Sequence, residues 1–324
     1  MLVHRPPLAE SGRAPDNGSG QGVFAAVNMG GESRYCCLSE SVGPEAIRRE
    51  PFPHLVIRNA LPPALYLELE SRWPGLQRIA GPGALENNRA YKLAAPQVLA
   101  DPDIAAPWRE FFAFHTSREF LRRVLDLWAG ELAVVHPALS GPLGTPLQSM
   151  SAGLRRPGKR RNRANRRTDI VLDCQFVVNS PVNRAGSVRG PHLDNPAKLF
   201  AALLYFRDPA DAAGGGDLQL YRPRPGRRPA TAGARVDRGS IELAAEIPYA
   251  PNTLVMWLNS PVAVHGVSPR AVTPIPRRYI NLLGECYGQG ISFTDPAGLR
   301  PGFWHRARLR KTAGSRPTPQ ATLR

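Results

Sequence analysis

The chain has 324 residues, 42% of them hydrophobic, with 30 Gly and 34 Pro, which suits a loop-rich globular protein with one large domain or two small ones. Collagen-like and coiled-coil classes are excluded, and four cysteines without CxxC spacing argue against a disulfide framework or a zinc ribbon. The net charge of +16 lies almost entirely in residues 155–167 and 300–324, so the rest of the chain is close to neutral.

Two observations on hydropathy concern the compartment. The longest clean apolar run, residues 199–206, is far shorter than the roughly 20 residues of a membrane span, and the first thirty residues lack the apolar region of a signal peptide. We therefore expect a soluble, cytoplasmic protein with no membrane partner and with reduced cysteines.

The first half of the chain divides into an arm and a helical region. Residues 1–50 are rich in Gly, Ser, Pro and Glu without an apolar period, which predicts a disordered arm in which Cys36 and Cys37 are incidental. Residues 51–150 predict a mainly helical supporting region. Within it, residues 55–57 resemble a short strand, a helix begins at Pro62 and Pro63, and residues 104–128 carry an aromatic face that is interrupted near Thr116.

Residues 151–168 form a basic segment between the two halves. Eight basic side chains and no acid lie in residues 155–167, and Pro157-Gly158 and the asparagines leave no apolar face to dock on a domain. We expect a mobile, solvent-exposed loop. The alternative is an anion-binding segment, but it lacks the interleaved aromatic residues that stack on single-stranded nucleic acid.

The hydrophobic period changes to two in the second half. Residues 169–180 place alternate apolar side chains on one face, as in a half-buried strand, and further strands are predicted at 199–206, 217–221, 240–247, 253–258, 262–267 and 278–283. We predict an α+β fold, a double-stranded β-helix (jelly-roll) core over residues 169–290 with N-terminal supporting helices, followed by a basic tail over 291–324.

Three residues of the second half form a candidate metal-binding set. His192 and Asp194 stand two residues apart, so on a strand both side chains point to the same face. His265 lies among apolar β-formers, where a lone histidine is more often a core side chain. Together the three supply two imidazoles and one carboxylate, the facial triad that holds non-haem Fe(II) with open coordination positions.

Two further features accompany the triad. Arg278 begins a later strand, and its guanidinium is a natural bidentate partner for the carboxylate of a co-substrate. A glycine run, Gly214-Gly215-Gly216-Asp217-Leu218, lies between the ligands and is also compatible with a simple tight turn.

With these residues in order, the sequence resembles the Fe(II)- and 2-oxoglutarate-dependent dioxygenases, in their prolyl 4-hydroxylase-like branch. The resemblance covers roughly residues 169–287. The matching stretches are residues 190–196, 203–206, 215–218, 252–257, 264–269 and 278–279.

The resemblance implies an oxidoreductase. Fe(II) would be held by His192, Asp194 and His265, and 2-oxoglutarate would bind the iron and pair its distal carboxylate with Arg278. Tyr205 falls where some members place a phenol that hydrogen-bonds 2-oxoglutarate, and a tyrosine buried for packing alone is equally compatible. O2 is the second co-substrate and ascorbate an optional addition. The products are succinate, CO2 and a hydroxylated substrate, which could be a protein proline, an amino acid or another small molecule.

The anchoring arginine is open between two neighbours. The interval from His265 to Arg278 is about three residues longer than the family spacing, so Arg277 is the alternative. Tyr279 matches the residue that usually follows the anchor and favours Arg278, whereas Ile280 stands where a hydroxyl residue often assists.

Two other classes remain as alternatives. The first is a non-catalytic nucleic-acid or anion-binding protein that uses residues 155–167, which we do not favour. The second is a cupin-like metal protein with different chemistry, because jelly rolls host many activities. Succinate formation that depends on iron and 2-oxoglutarate would distinguish the dioxygenase from both.

Overall fold

The computed structural model describes residues 34–140, 149–227, 229, 231–232, 235–287 and 291–295. The helices are α1 (Pro63–Ser71), α2 (Leu76–Ala80), α3 (Ala95–Ala100), α4 (Ala106–His115), α5 (Arg118–Leu127), α6 (Ala129–Val135), α7 (Pro137–Ser140) and α8 (Arg163–Arg167). The strands are β1 (His54–Arg58), β2 (Ala90–Ala94), β3 (Ala152–Leu154), β4 (Ile170–Asn179), β5 (Lys198–Tyr205), β6 (Leu218–Pro223), β7 (Thr231–Ala232), β8 (Arg235–Val236), β9 (Ile241–Ile247), β10 (Thr253–Leu258), β11 (His265–Val267) and β12 (Arg277–Glu285).

Two sheets form the core. The larger sheet has the order β1-β10-β5-β12-β4-β2, all antiparallel, with β3 added in parallel beside β4. The smaller sheet has the order β11-β6-β9, and β7 pairs with β8. Strands β5, β10 and β12 lie in the large sheet and β6, β9 and β11 in the small one, so the chain crosses repeatedly between the two sheets, as expected of a jelly roll. The predicted double-stranded β-helix with supporting helices is confirmed.

The large sheet is covered on both faces. Every residue of β4 is buried, whereas its alternating pattern predicted a half-buried strand. One face contacts the helices through a cluster of aromatic rings, and the other faces the small sheet. Trp73, Trp108, Phe112, Phe176 and Phe206 make up most of the aromatic cluster, with ring centroids 4.7–6.3 Å apart. The aromatic face predicted for residues 104–128 is therefore core.

The predicted interruption near Thr116 is confirmed. Helix α4 ends at His115 and α5 begins at Arg118. The side chain of Ser117 accepts a hydrogen bond of 3.2 Å from the backbone N–H of Phe120, which satisfies one of the free donors at the start of α5. None of the helices in the described residues is long and apolar enough to cross a bilayer.

The boundary of the N-terminal arm requires a correction. Residues 1–33 lie outside the described residues, but Tyr35, Cys36, Cys37 and Leu38 are buried in the main core. The Cys37 thiol lies 3.2 Å from Nε2 of His115 at the end of α4. Residues 35–38 therefore belong to the domain and not to a disordered arm, because their four apolar side chains fill the space beside α4 and α5.

The basic segment is also corrected at its first residue. Arg155 follows β3 and pairs with the buried carboxylate of Asp173, and its Nε lies 3.5 Å from Glu285. Asn165 in α8 is buried and binds the backbone of Arg156. The segment is thus attached to the core through Arg155 and closed on itself through Asn165, while most of its other side chains are exposed.

The predicted C-terminal tail begins later than residue 291. Ile291 and Phe293 are buried in the main core, and Phe293 packs against His136 with ring centroids 5.0 Å apart. Residues 296–324 lie outside the described residues.

Candidate active site

The structure brings His192, Asp194 and His265 together between the two sheets. His192 forms an isolated antiparallel bridge with His265, with N–H···O distances of 2.9 and 3.1 Å. One ligand-type atom from each of the three residues lies within 4.8 Å of the others, and all three side chains are buried. The backbone bridge thus places the loop before β5 against the start of β11, which positions the three groups.

Both imidazoles present the same nitrogen to the centre. Nδ1 of His192 lies 2.9 Å from the carbonyl oxygen of Gly190, and Nδ1 of His265 lies 3.0 Å from that of Ala263. Each Nδ1 therefore carries the proton and donates it to the backbone, which leaves Nε2 as a lone-pair donor. Trp257 packs on the His265 ring at a centroid distance of 4.6 Å and restricts its orientation.

Asp194 has one oxygen occupied and one without a partner. Oδ1 accepts a hydrogen bond of 2.7 Å from Nζ of Lys198. Oδ2 is buried with no hydrogen-bond partner and lies 3.8 Å from Nε2 of His265. A buried carboxylate oxygen without a partner is costly, so this atom is a candidate ligand for a cation at the centre.

The electrostatics keep the three groups in the form that a metal needs. Burial, followed by the positive charges of a protonated His265 and of Arg189, lowers the pKa of His192 to about 2, and burial also lowers the pKa of His265. Burial alone would raise the pKa of Asp194, but the positive charge of Lys198, and that of the two imidazoles when they are protonated, outweighs it and holds that pKa below its usual range. At neutral pH the site therefore offers two neutral imidazoles and one carboxylate.

A cleft of about 590 Å³ opens onto the triad. Its inner wall is apolar, with Ala201, Leu203, Leu218 and Trp257 from both sheets. This volume is within the range of small-molecule sites, so the triad adjoins a cavity that can hold a small molecule.

The structure separates the two candidate anchors. Adjacent residues of a strand point to opposite faces, and Tyr279, two residues after Arg277, lines the cleft. Arg277 is buried on that same face, between the sheets. Arg278 points to the helical side, where it binds Glu70 at 2.6 Å and lies 3.4 Å from Asp208. Arg278 is therefore not brought together with the triad.

Arg277 carries an unused hydrogen-bond donor. Its Nε donates to the carbonyl of Gly216 at 2.8 Å and its Nη1 to Asn179 at 3.4 Å, but Nη2 is buried without a partner. The Tyr205 hydroxyl and Nδ2 of Asn179 are also buried without partners. Three unsatisfied polar groups on one side of the sheet indicate a place for a polar ligand.

Aromatic rings surround the Arg277 guanidinium. Its carbon lies 5.0 Å from the ring centre of Tyr205 and 4.7 Å from those of Tyr249 and Tyr279. Burial raises the pKa of Tyr205 to about 12, against the opposing charge of Arg277, so its hydroxyl stays protonated and is available as a donor. Tyr205 is thus placed beside Arg277 rather than beside Arg278.

The backbone of the glycine run passes close to other parts of the chain, so the run is more than a turn. Gly215 and Gly216 have φ of +79° and +82°, which favours glycine. A Cβ on Gly215 would lie 1.8 Å from the Pro269 carbonyl, and one on Gly216 would lie 3.2 Å from Cδ of Arg277. Because Gly216 has no side chain, there is room for the side chain of Arg277 beside it.

Sequence reasoning missed several residues of this site. Lys198 follows Asp194 by four residues, and this spacing could have indicated that the two side chains form an ion pair. Asn179 lies on β4 and Tyr249 in a loop, and only the fold brings them to Arg277.

No protein-family model matches the chain, and no curated protein matches it in sequence. Among solved structures, it is similar to a prolyl-4-hydroxylase from Pseudomonas putida, with 15% identity and a TM-score of 0.39 over 75% of this chain and 98% of that one. Other solved structures that are similar to this chain are also oxygenases. A prolyl 4-hydroxylase from Phytophthora capsici shares 16% identity, with a TM-score of 0.43 over 81% of this chain and 69% of that one.

An oxidoreductase of the 2OG-Fe(II) oxygenase family from Burkholderia pseudomallei is similar at 12% identity, with a TM-score of 0.34 over 72% of this chain and 84% of that one. At these scores and identities the similarity does not define the activity or the substrate.

Proposed function

We propose that this chain is an Fe(II)- and 2-oxoglutarate-dependent dioxygenase that hydroxylates a substrate held in the cleft. The observation that carries the proposal is the buried cluster of His192, Asp194 and His265, in which Oδ2 of Asp194 has no partner. Two imidazoles and one carboxylate on one side of a metal leave positions open for a co-substrate and O2, as non-haem iron oxygenases require.

The residues fit a divalent metal. Nε2 of each histidine is left for a ligand bond by the hydrogen bond that Nδ1 makes to the backbone. The hydrogen bond from Lys198 fixes the Asp194 carboxylate and leaves its second oxygen for the ion. The triad would hold Fe(II), which supplies O2 activation coupled to the oxidative decarboxylation of 2-oxoglutarate to succinate and CO2.

Arg277 supports the co-substrate part of the proposal, in place of Arg278. The distal carboxylate of 2-oxoglutarate needs a cationic partner inside the cavity, and Nη2 of Arg277 is a buried donor on the face that the triad occupies. The Tyr205 hydroxyl is the second donor available to that carboxylate. Arg278 already forms ion pairs with Glu70 and Asp208.

The apolar wall of the cleft supports this reaction in two ways. Ala201, Leu203, Leu218 and Trp257 exclude water from the inner end, which strengthens the pairing between Arg277 and a carboxylate. An apolar wall also suits the C–H bond that a hydroxylating enzyme has to bring to the metal position. The residues of this chain thus bind and orient two ligands beside one ion.

The test is succinate formation by the purified full-length chain, with Fe(II) and with each ingredient left out in turn. We expect succinate only when Fe(II), 2-oxoglutarate and O2 are all present. His265→Ala should abolish turnover and weaken metal binding, because it removes one of three protein bonds. Succinate formation by His265→Ala at the unaltered rate would refute the metal assignment.

A further inference from the structure

The cleft is strongly cationic. Five basic side chains line it, and among the described residues the only acid there is the triad member Asp194. The basic residues are Arg89, Lys92, Arg184, Arg189 and Lys198. This asymmetry is local, because no residue of the basic segment 155–167 lines this cleft.

Two of these cations are already paired. Lys198 binds Asp194 at 2.7 Å, and Arg89 binds Glu86 at the surface. No ion pair to Lys92, Arg184 or Arg189 is formed among the described residues. These three side chains, which we call the cationic rim, are exposed within a concave surface and remain available to a ligand.

The rim lies close to the reactive centre. Lys92 and Arg189 line the same cleft as His192, His265 and Tyr279. Lys92 lies on β2, beside Val177 of β4. Lys92 thus approaches the cleft from the large sheet, whereas Arg184 and Arg189 approach it from the loop before His192.

The backbone that carries the two arginines is held in place. The side chain of Asn87 bonds the carbonyl of Arg184 at 3.1 Å, and that of Asn88 bonds the carbonyl of Gly186 at 2.8 Å. The carbonyl of Arg189 accepts a hydrogen bond of 2.9 Å from the N–H of Val267, the last residue of β11. A loop fixed at both ends reduces the entropy lost when its side chains bind a ligand.

We propose that the primary substrate is a small anionic molecule, bearing a carboxylate or a phosphate, which the cationic rim of Lys92, Arg184 and Arg189 holds over the triad. Guanidinium groups bind both anions through paired hydrogen bonds. The rim is separate from Arg277, which is buried between the sheets, so the molecule contains two positions for anions.

A small molecule fits better than a nucleic-acid strand. The cleft volume of about 590 Å³ is that of a small-molecule site. The aromatic residues lining it are Tyr279 and Trp257 of the inner wall, so its outer part offers no rings on which successive bases could stack. This inference rests on the proposed function for the reaction, but the anion site itself can be tested without turnover.

The first experiment measures protection of arginines from phenylglyoxal by mass spectrometry. The full chain is kept under nitrogen with Fe(II) and 2-oxoglutarate, and the probes are N-acetylalanine and phenyl phosphate, with N-acetylalaninamide and phenol as neutral counterparts. We expect the anions to slow modification of Arg184 and Arg189 at least fivefold and the neutral compounds to have no effect. Arg166, exposed on α8, is the internal control and should be modified at an unchanged rate.

Several results would overturn the inference. Equal modification of Arg184 and Arg189 with and without both anions would show that the rim binds neither. In a parallel sample that starts without 2-oxoglutarate, protection when it alone is added would assign the rim to the co-substrate. Protection by an acidic peptide or a dT oligonucleotide, but by neither small anion, would assign it to a macromolecule. A comparison of the two anions distinguishes carboxylate from phosphate recognition.

The second experiment separates this inference from the proposed function. Matched carboxylate and amide compounds, and matched phosphate esters and alcohols, are compared as stimulators of succinate formation. We expect stimulation by anionic members, with a KM raised about tenfold or more by Arg189→Gln and unchanged by Arg166→Gln. Stimulation by neutral members alone would refute the anionic substrate while leaving the dioxygenase intact, whereas protection of the rim without any succinate would refute the dioxygenase alone.

Discussion

At the scale of single residues, the unpartnered Oδ2 of Asp194 distinguishes a ligand-binding site from a core hydrogen-bond network. In a network that served packing alone, Lys198 and the histidines would satisfy both oxygens of Asp194. Here Lys198 takes only Oδ1, and both imidazoles give their N–H to the backbone instead. The three residues are therefore arranged as acceptors around a point, which is the requirement for a cation.

Substitution of Asp194 tests this arrangement without changing its shape. Asp194→Asn keeps the side-chain volume but removes the charge, so Co(II) binding measured by equilibrium dialysis should weaken at least tenfold. Asp126→Asn on the exposed face of α5 is the control and should bind Co(II) as the unaltered chain does. Equal Co(II) affinity in the two variants would exclude Asp194 as a ligand.

The neighbouring arginines provide a matched pair for the co-substrate. Arg277→Gln removes a buried donor from the inner cavity, so the KM for 2-oxoglutarate should rise about tenfold or more while metal binding changes little. Arg278→Gln breaks contacts to Glu70 and Asp208 on the helical side, so it should lower the melting temperature more than it alters this KM. The reverse pattern would restore Arg278 as the anchor.

At the scale of elements, the two halves of the fold differ in how well the sequence predicted them. The strands β4, β5, β9 and β10 were placed to within about a residue or two, because long apolar runs or alternation mark them. Strand β2 was missed, since Ala90–Ala94 holds few β-branched residues and depends on pairing with β4.

The site was predictable only in part for a related reason. The set of His192, Asp194 and His265 can be recognised in the sequence, because the first two stand at the spacing of a metal-binding pair and the third completes the ligand set. The choice between Arg277 and Arg278 depends on which face of β12 turns inward, and the inserted residues after His265 hide that register. The burial of residues 35–38 depends on contacts with α4 and α5, some eighty residues away, such as the bond from Nε of Arg123 to the carbonyl of Leu38.

The start of the basic segment allows a test at the same scale. Arg155 pairs with Asp173, whose side chain is buried, so Arg155→Ala should destabilise the fold by about 3–5 kcal/mol in denaturant unfolding, because a buried carboxylate loses its partner. Arg156→Ala is the control and should change stability by less than about 0.5 kcal/mol. If both variants unfold at the same denaturant concentration, the segment is an appended loop as its composition predicted.

At the scale of the whole molecule, the described part of the chain contains five histidines that burial keeps uncharged. Their pKa values are lowered in every case. His115 is the clearest example, because burial lowers its pKa to about 3 although a backbone carbonyl opposes the change. These residues are distributed over both sheets and the helices, so acid should destabilise the domain as a unit.

The sign of the pH effect follows from proton uptake. Below the unfolded-state pKa of about 6.5, the unfolded chain binds protons that the folded chain excludes. Stability should therefore be highest above this value and fall with decreasing pH, by up to about 1.4 kcal/mol per pH unit for each such histidine. Melting temperatures of the metal-free chain between pH 7.5 and 5 measure this slope, and His115→Leu should reduce it; a flat profile would contradict the account.

The central claim is that the triad, Arg277 and the cleft together form a 2-oxoglutarate-dependent oxygenase. The most direct measurement is turnover under O2 labelled with oxygen-18, with the succinate analysed by mass spectrometry. Decarboxylation by this route transfers one oxygen atom of O2 into the new carboxylate, so we predict succinate that carries a single heavy oxygen in the unaltered chain and no succinate from His192→Ala. Succinate without the label, or equal amounts from both proteins, would contradict the claim.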